Sequence, residues 1–341
     1  MPATERGRNR PPVMTDVAQL AGVSHQTVSR VLNDHPNVRP QTRELVLAAI
    51  TELGYRPNAA ARTLVTRRTH TLGVISFDTT LFGPASMLYG IERAARDSYF
   101  VAIASMPTLD RRSVLDAVDR FAGQGVEGVI VIAPLEAAVA ALTHCPDDIP
   151  LVAMGCRTDP PVCSVAVDNS EGAALATRHL LSLGHRTVHH LRGPASWLDA
   201  EARVDGWRQA LRDAGAPEPA DVSAGDWSAA SGYELGQRLA ADPGVTAVLC
   251  ANDPMALGLL RALSEAGRRV PEDVSVVGFD DIPESPYFLP PLTTVRQDFG
   301  ELGQRALDTL LALIYGRDPG ASTEPVEPQL VIRSSTAPPG G

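Results

Sequence analysis

Lysine is absent from this 341-residue chain, so all 30 of its basic residues are arginine. A phosphate-loop lysine, a Schiff-base lysine and a Ser-x-x-Lys nucleophile are excluded, and with them much ATP-dependent and pyridoxal-phosphate chemistry. Every cationic contact falls to a planar, permanently charged fork. Cysteine is scarce as well. Cys145, Cys156, Cys163 and Cys250 lie far apart with no C-x-x-C pair, a pattern of buried free thiols rather than of a disulfide frame or zinc site. No apolar run reaches the roughly 18–20 residues that span a bilayer. The polar, Arg-rich stretch Met1–Pro12 lacks the apolar core of a secretory leader. The sequence thus predicts a cytoplasmic protein with no membrane partner, no cofactor and no metal.

Catalytic patterns are missing too. There is no G-x-S-x-G elbow. Gly123–Gly128 spells G-x-G-x-x-G, but it follows a predicted helix and precedes a strand, the reverse of a dinucleotide loop. His179, His185, His189 and His190 have no metal-ligand spacing with a carboxylate or thiol. Asp280 and Asp281, as loop neighbours, point apart. No nucleophile, base and orienter can be assembled, so an enzyme is not expected.

What is present is unevenly charged. The formal net charge is −10, yet residues 1–70 hold ten arginines against five acids, and the rest hold 20 against 35. A basic head on an acidic body suggests that only the head meets a polyanion. In that head, Thr15 is a candidate N-cap for a short helix to Ala21, and Gly22-Val23 breaks it. Ser24 caps a second helix whose Val28, Val31 and Leu32 form a buried face. His25, Gln26, Thr27, Ser29 and Arg30 are left facing outward. A third helix runs from Pro40 to about Leu53, ended by Gly54. Helix, tight turn and polar-faced helix form a helix-turn-helix, in which Gln26 suits adenine and Arg30 guanine. Beyond Pro57, Asn58 can cap the alanine-rich run Ala59–Leu64, two turns too short to be stable alone.

From Thr71 onward, short β-rich runs alternate with helix-length segments. Strands are predicted at Thr71–Phe77, Tyr99–Ala104, Val126–Ala133, Leu151–Met154 and Ser164–Val167. A second series has strands at Thr187–Leu191, Val245–Ala251 and Val274–Phe279. This predicts an α/β body of two doubly wound parallel-sheet lobes with a cleft between them, as in periplasmic sugar-binding proteins. Ligands gather beyond the carboxyl ends of such strands. Those ends offer Asp78 with the loop to Phe82 and Pro84, then Leu135 and Glu136. The second lobe offers the loop from Arg192 to Arg203, then Asn252, Asp253, Asp280 and Asp281. Carboxylates, an amide and a guanidinium beside aromatic rings describe a carbohydrate site.

Met14-Thr15-Asp16-Val17-Ala18, Ala21-Gly22-Val23-Ser24, Thr27–Asn33 and Leu53–Asn58 together resemble the DNA-binding head of the LacI family. The resemblance continues through Ala251-Asn252-Asp253, Val276–Asp281 and Pro290–Asp298. It implies that His25, Gln26 and Arg30 select a pseudo-palindromic operator, with Thr15, Ser24, Thr27, Ser29 and Asn33 in the same interface. It implies that Asn58, Ala61 and Leu64 belong to a hinge helix in the minor groove, where Leu64 wedges a base step apart. It also implies that Arg203 clamps the effector, that Asn252 and Asp280 bind hydroxyls, that Trp227 stacks on the sugar, and that Gln297 and Phe299 complete the pocket.

The organisation expected is a head over 1–57, a hinge helix and linker over 58–70, and an effector-binding and dimerisation body over 71–341. Within the body the first lobe takes about 71–168 and 297–328, the second about 169–296 and 329–336. The Pro/Gly tail Ala337–Gly341 has no heptad helix, so a homodimer is expected. The function expected is a repressor controlled by a neutral mono- or disaccharide, since Asp280 and Asp281 would repel a phosphate. The rivals are a sugar receptor that binds no DNA and a purine-type regulator that needs its co-repressor.

Overall fold

The computed structural model describes residues 10–32, 35–55, 68–106, 110–145, 148–158, 162–219 and 224–340. Asn33, Asn58, Ala61 and Leu64 lie outside the described residues, as does the expected hinge helix. The chain divides into two units, Met1–Thr69 and His70–Gly341.

The first unit carries α1 (Met14–Ala21), α2 (His25–Leu32) and α3 (Pro40–Leu53). Thr15 does not cap α1. Val13 occupies the cap position, and the Asp16 carboxylate accepts the Val13 backbone N–H at 2.8 Å while Arg10 donates to the same carboxylate at 3.0 Å. A carboxylate in the first turn is a stronger acceptor than a hydroxyl and also meets the positive end of the helix dipole. Gly22 ends α1 with a left-handed φ of 64°. Ser24 caps α2 as expected, its Oγ accepting the Thr27 backbone N–H at 3.1 Å. Val17, Val28, Val31, Val46, Ala49 and Tyr55 fill a small core.

The second unit is built on two five-stranded sheets. The first contains β1 (Thr71–Phe77), β2 (Phe100–Met106), β3 (Val129–Ile132), β4 (Leu151–Met154) and β5 (Cys163–Val165), all parallel, in the order β2-β1-β3-β4-β5. Helices α4 (Phe82–Ala95), α5 (Arg111–Gly123) and α6 (Glu136–Leu142) connect them. The second sheet contains β6 (His189–Leu191), β7 (Ala247–Cys250), β8 (Ser275–Asp280), β9 (Thr293–Arg296) and β10 (Gln329–Val331), with β10 antiparallel at the edge. Its helices are α7 (Asn169–Ser182), α8 (Leu198–Asp213), α9 (Ala229–Ala241) and α10 (Asp253–Glu265). The last long helix, α11 (Phe299–Ile314), returns to the first sheet. There Leu302, Leu307 and Leu310 join Leu72, Ile91 and Ile130 in one core. It crosses α4 at Gly303 and Gly90, where a Cβ on either would overlap the other helix's backbone.

Two strands escaped the sequence reading. β9 and β10 are short, and β9 carries Thr293 and Thr294, which look like surface residues. Both are fully buried because their hydroxyls are bonded, Thr294 Oγ1 donating to Asp253 at 2.6 Å and Thr293 Oγ1 accepting the Arg333 N–H at 2.9 Å. In the first sheet the strand order reverses between β1 and β3. Beyond β6, a parallel bridge from Arg192 to Ala224 makes the same reversal in the second. Ligand crevices form at such reversals. Here the two face one cavity.

Candidate functional site

The cavity has a volume of about 300 Å³, at the lower end of small-molecule sites. Its two walls differ in chemistry. The first lobe supplies Leu81, Phe82, Pro84, Met87, Ile132 and Pro134, with Thr80 as its polar side chain. The second supplies Asp199, Arg203, Trp227, Ser228, Asn252 and Asp280, and Gln297 and Phe299 follow at the crossing between lobes.

Arg203 is the centre of the polar wall. It lies one turn inside α8 and is buried. Its Nε donates to Asn169 Oδ1 at 2.8 Å, and a terminal nitrogen donates to the Ala251 carbonyl. The guanidinium carbon sits 3.8 Å from the centroid of the Phe279 ring, and the other terminal nitrogen is 3.7 Å from Asp280. Asp280 ends β8 and accepts from Gln297 Nε2 at 2.6 Å. Burial pushes its carboxyl up to about 6, although Arg203 pulls the other way.

Backbone strain gathers here. Asp280 has a φ of 106° and Trp227 a φ of 73°, left-handed values that cost a non-glycine residue about 1–3 kcal/mol each. Trp227 is held in place by Asn252, whose Nδ2 donates to the Trp227 carbonyl at 3.1 Å while its Oδ1 caps α10 by accepting from Met255 at 2.9 Å. The indole lies over Gly193, where any Cβ would strike the ring. Its Nε1 is buried with no partner among the described residues. Phe82 and Phe299 meet edge to face at 5.9 Å and close the opposite side.

Of the effector residues expected from sequence, Phe82, Pro84, Arg203, Trp227, Asn252, Asp280, Gln297 and Phe299 line this one cavity. Asp78 and Glu136 do not. Asp78 turns back to accept from the Thr80 backbone and hydroxyl, at 3.1 and 2.5 Å. Glu136 is exposed in the first turn of α6, where the helix dipole favours a carboxylate. Asp281 also leaves the cleft, accepting from Arg296 at 2.7 Å and Arg333 at 2.6 Å. Asp253 is buried behind the site and braces the following loop through Ile282, Ser285 and Thr294.

Sequence reasoning named the loop from Arg192 to Arg203 but singled out neither Asp199 nor Trp197 within it. The first carried a signal, because it precedes Arg203 by four residues and so shares its helix face. Trp197 carried none. It bridges Leu135 of the first lobe through backbone pairing, next to a Leu198 N–H that donates to the Pro134 carbonyl at 2.9 Å.

The histidines are structural. His185 bonds Thr246, Ser275 and the Ala337 carbonyl, and His190 Nδ1 donates to the Leu249 carbonyl at 3.0 Å while burial drives its pKa down to about 4. Among the described residues no group of three His, Cys, Asp or Glu could hold a metal ion, and no helix is long and apolar enough to cross a membrane.

In the head, α2 exposes His25, Gln26 and Arg30 on the side opposite buried Val28 and Val31. Ser24 and Thr27 hydroxyls bond each other at 2.9 Å, and Thr15 is exposed on α1. An eight-residue helix about 12 Å long with one polar face fits a major groove.

Residues 13–58 match the family model for bacterial regulatory proteins of the lacI family, and residues 177–336 match that for a periplasmic binding protein-like domain. The chain is 37% identical to the lactose operon repressor of Escherichia coli (strain K12) over 312 residues, 90% of this chain and 86% of that protein. It is 35% identical to the transcriptional repressor PurR of Mannheimia succiniciproducens over 327 residues, covering 94% and 97%. Among solved structures, the Lac repressor dimer bound to operator and the anti-inducer ONPF is similar with a TM-score of 0.86 at 36% identity, covering 96% of this chain and all of that one. The transcriptional regulator CelR in complex with cellobiose is similar with a TM-score of 0.68 at 34% identity, covering 95% and 99%.

Proposed function

The chain belongs to the LacI family of bacterial regulatory proteins, and we propose that it is a repressor whose hold on operator DNA is set by a small neutral sugar in the cleft. The observation that carries the sugar reading is Arg203 and Asp280, buried side by side under Trp227. A guanidinium donates to ring hydroxyl oxygens and a carboxylate accepts from ring hydroxyls, both directionally, while the indole face takes the apolar face of the ring. Two of the similar solved structures hold ligands, ONPF in one and cellobiose in the other.

Mechanistically, residues 1–57 read the operator through His25, Gln26 and Arg30, with Thr15, Ser24, Thr27, Ser29 and Asn33 in support. Asn58, Ala61 and Leu64 supply the hinge in the minor groove. A homodimer presents two heads to two half-sites, and the lobes of each body enclose the effector. An effector that binds one lobe arrangement more tightly than the other shifts the equilibrium between DNA-competent and released forms. This work requires no catalysis or cofactor, and it takes place in the cytoplasm, where bacterial DNA lies.

A gel shift of the full chain on the DNA flanking its own gene tests this reading, with a panel of neutral glycosides and of purines added in turn. The expected result is a specific shift reversed by a neutral sugar. A purine that strengthens the shift while every sugar is inert would establish a co-repressor instead. No specific shift would leave a sugar receptor.

A further inference from the structure

Asp199 projects into the polar wall of the cavity one helical turn before Arg203. Its Oδ1 accepts from Asn169 Nδ2 at 3.3 Å, and the same Asn169 accepts from Arg203 Nε at 2.8 Å. Asn169 is fixed in turn by the Val167 carbonyl, 3.3 Å from its Nδ2. The carboxylate is therefore oriented from both α7 and α8, as a ligand-reading group must be. Its Oδ2 has no hydrogen-bond partner among the described residues, and the side chain is only partly buried, so that oxygen is open to the cavity.

Charge in the cavity wall does not balance. Asp199 and Asp280 face one guanidinium, two of whose nitrogens are already hydrogen-bonded to Asn169 and the Ala251 carbonyl, leaving the terminal nitrogen 3.7 Å from Asp280 to meet a ligand. A ligand in this space meets spare acceptors, so it must bring donors and no negative charge of its own. We propose that Asp199 is a second hydroxyl-reading carboxylate of the cleft and the residue that confines its effector to uncharged, donor-rich sugars, excluding uronates. The inference rests on the carbohydrate reading above.

The groups facing Asp199 are Arg203 on its own helix, Asn169 from α7, Asp280 from the end of β8 and Cys156 from the turn after β4. Burial lifts Asp199 to about 6 against the pull of Arg203, so it accepts at neutral pH and loses that capacity in mild acid.

Titration calorimetry on the full chain tests the assignment at pH 7.5, 6.5 and 5.5. The probes are methyl β-glucoside, methyl β-galactoside, lactose and cellobiose, with glucuronic and galacturonic acids. Wild type is expected to bind a neutral probe and to give no heat with either uronate. Asp199→Asn should weaken the neutral probe about tenfold, narrow its margin over the uronate, and flatten the loss of affinity toward pH 5.5. Should Asp199→Asn fail to fold by circular dichroism, Asp199→Glu replaces it. That variant should still reject uronates but reorder the neutral probes. A folded variant with wild-type affinity, ranking, uronate rejection and pH profile overturns the role of Asp199 and leaves the sugar reading standing. Wild type that binds no neutral probe overturns both.

Discussion

Trp197 of the second lobe and Phe77 of the first meet edge to face, their ring centroids 5.8 Å apart. On its other side Trp197 meets Trp227 at 5.3 Å, again edge to face. The three rings form a continuous path from the end of β1 to the polar wall of the cavity. A ligand that shifts Trp227 therefore acts on the contact between lobes.

Trp197→Ala removes two aromatic contacts worth about 0.5–1.5 kcal/mol each. The expected outcome is weaker effector binding together with a smaller ratio of operator affinities without and with effector. That ratio measures the coupling free energy directly, typically about 1–3 kcal/mol. Fluorescence anisotropy on labelled operator gives both affinities, and an unchanged ratio would show that the aromatic path carries no coupling.

Arg203→Ala leaves Asp280 and Asn169 buried without their partner, which costs about 3–5 kcal/mol of stability. Denaturant unfolding should show that loss as a lower midpoint. Arg203→Lys keeps the charge but loses the fork, so it should fold and yet respond poorly to effector. A lysine variant with wild-type induction would mean that the site reads only a point charge.

The stability of the body should fall as pH rises from about 4 to about 7. Burial pushes Asp253 up to about 7, well above the value it takes once unfolded. Between about pH 4 and pH 7 the folded chain retains a proton that the unfolded chain has released, so unfolding becomes easier as pH rises. Asp253→Asn removes this titration. The stability difference between wild type and variant, measured by urea unfolding at pH 4.5, 6 and 7.5, should move in favour of the variant by a few kcal/mol. A difference independent of pH would show that Asp253 is ionised throughout.

In the head, Arg30 is exposed on the polar face of α2. Arg30→Ala should cost about 1–3 kcal/mol of operator affinity and relax the preference at one base pair per half-site. Binding titrations against single-substitution operator sets would show this. A uniform loss across all sequences would assign Arg30 to a phosphate instead.

Much of the architecture was written locally. The period of Val28, Val31 and Leu32 is a property of one helix, and the alternation of β-rich runs with helices already implies two parallel sheets. Positions beyond strand ends follow from that, which is why Asn252, Asp280 and the segment reaching Arg203 can be singled out from sequence, and the structure brings all three to one cavity. Neighbouring residues with identical chemistry show where such reasoning stops. Asp280 enters the cavity, whereas Asp281 turns to Arg333, 52 positions along the chain. Thr293 and Thr294 are polar yet buried, because their partners Arg333 and Asp253 arrive from segments 40 and 41 positions away. Asp199 and Trp197 reach the cleft through bonds to Asn169 and Leu135, each more than twenty positions away. Most helices and strands and their order are written in the sequence, since periodicity and capping act over a few residues; the short strands β9 and β10 are not. Which carboxylate lines the cavity follows only from the tertiary structure, since the direction of a side chain on a left-handed loop is set by whichever distant donor satisfies it.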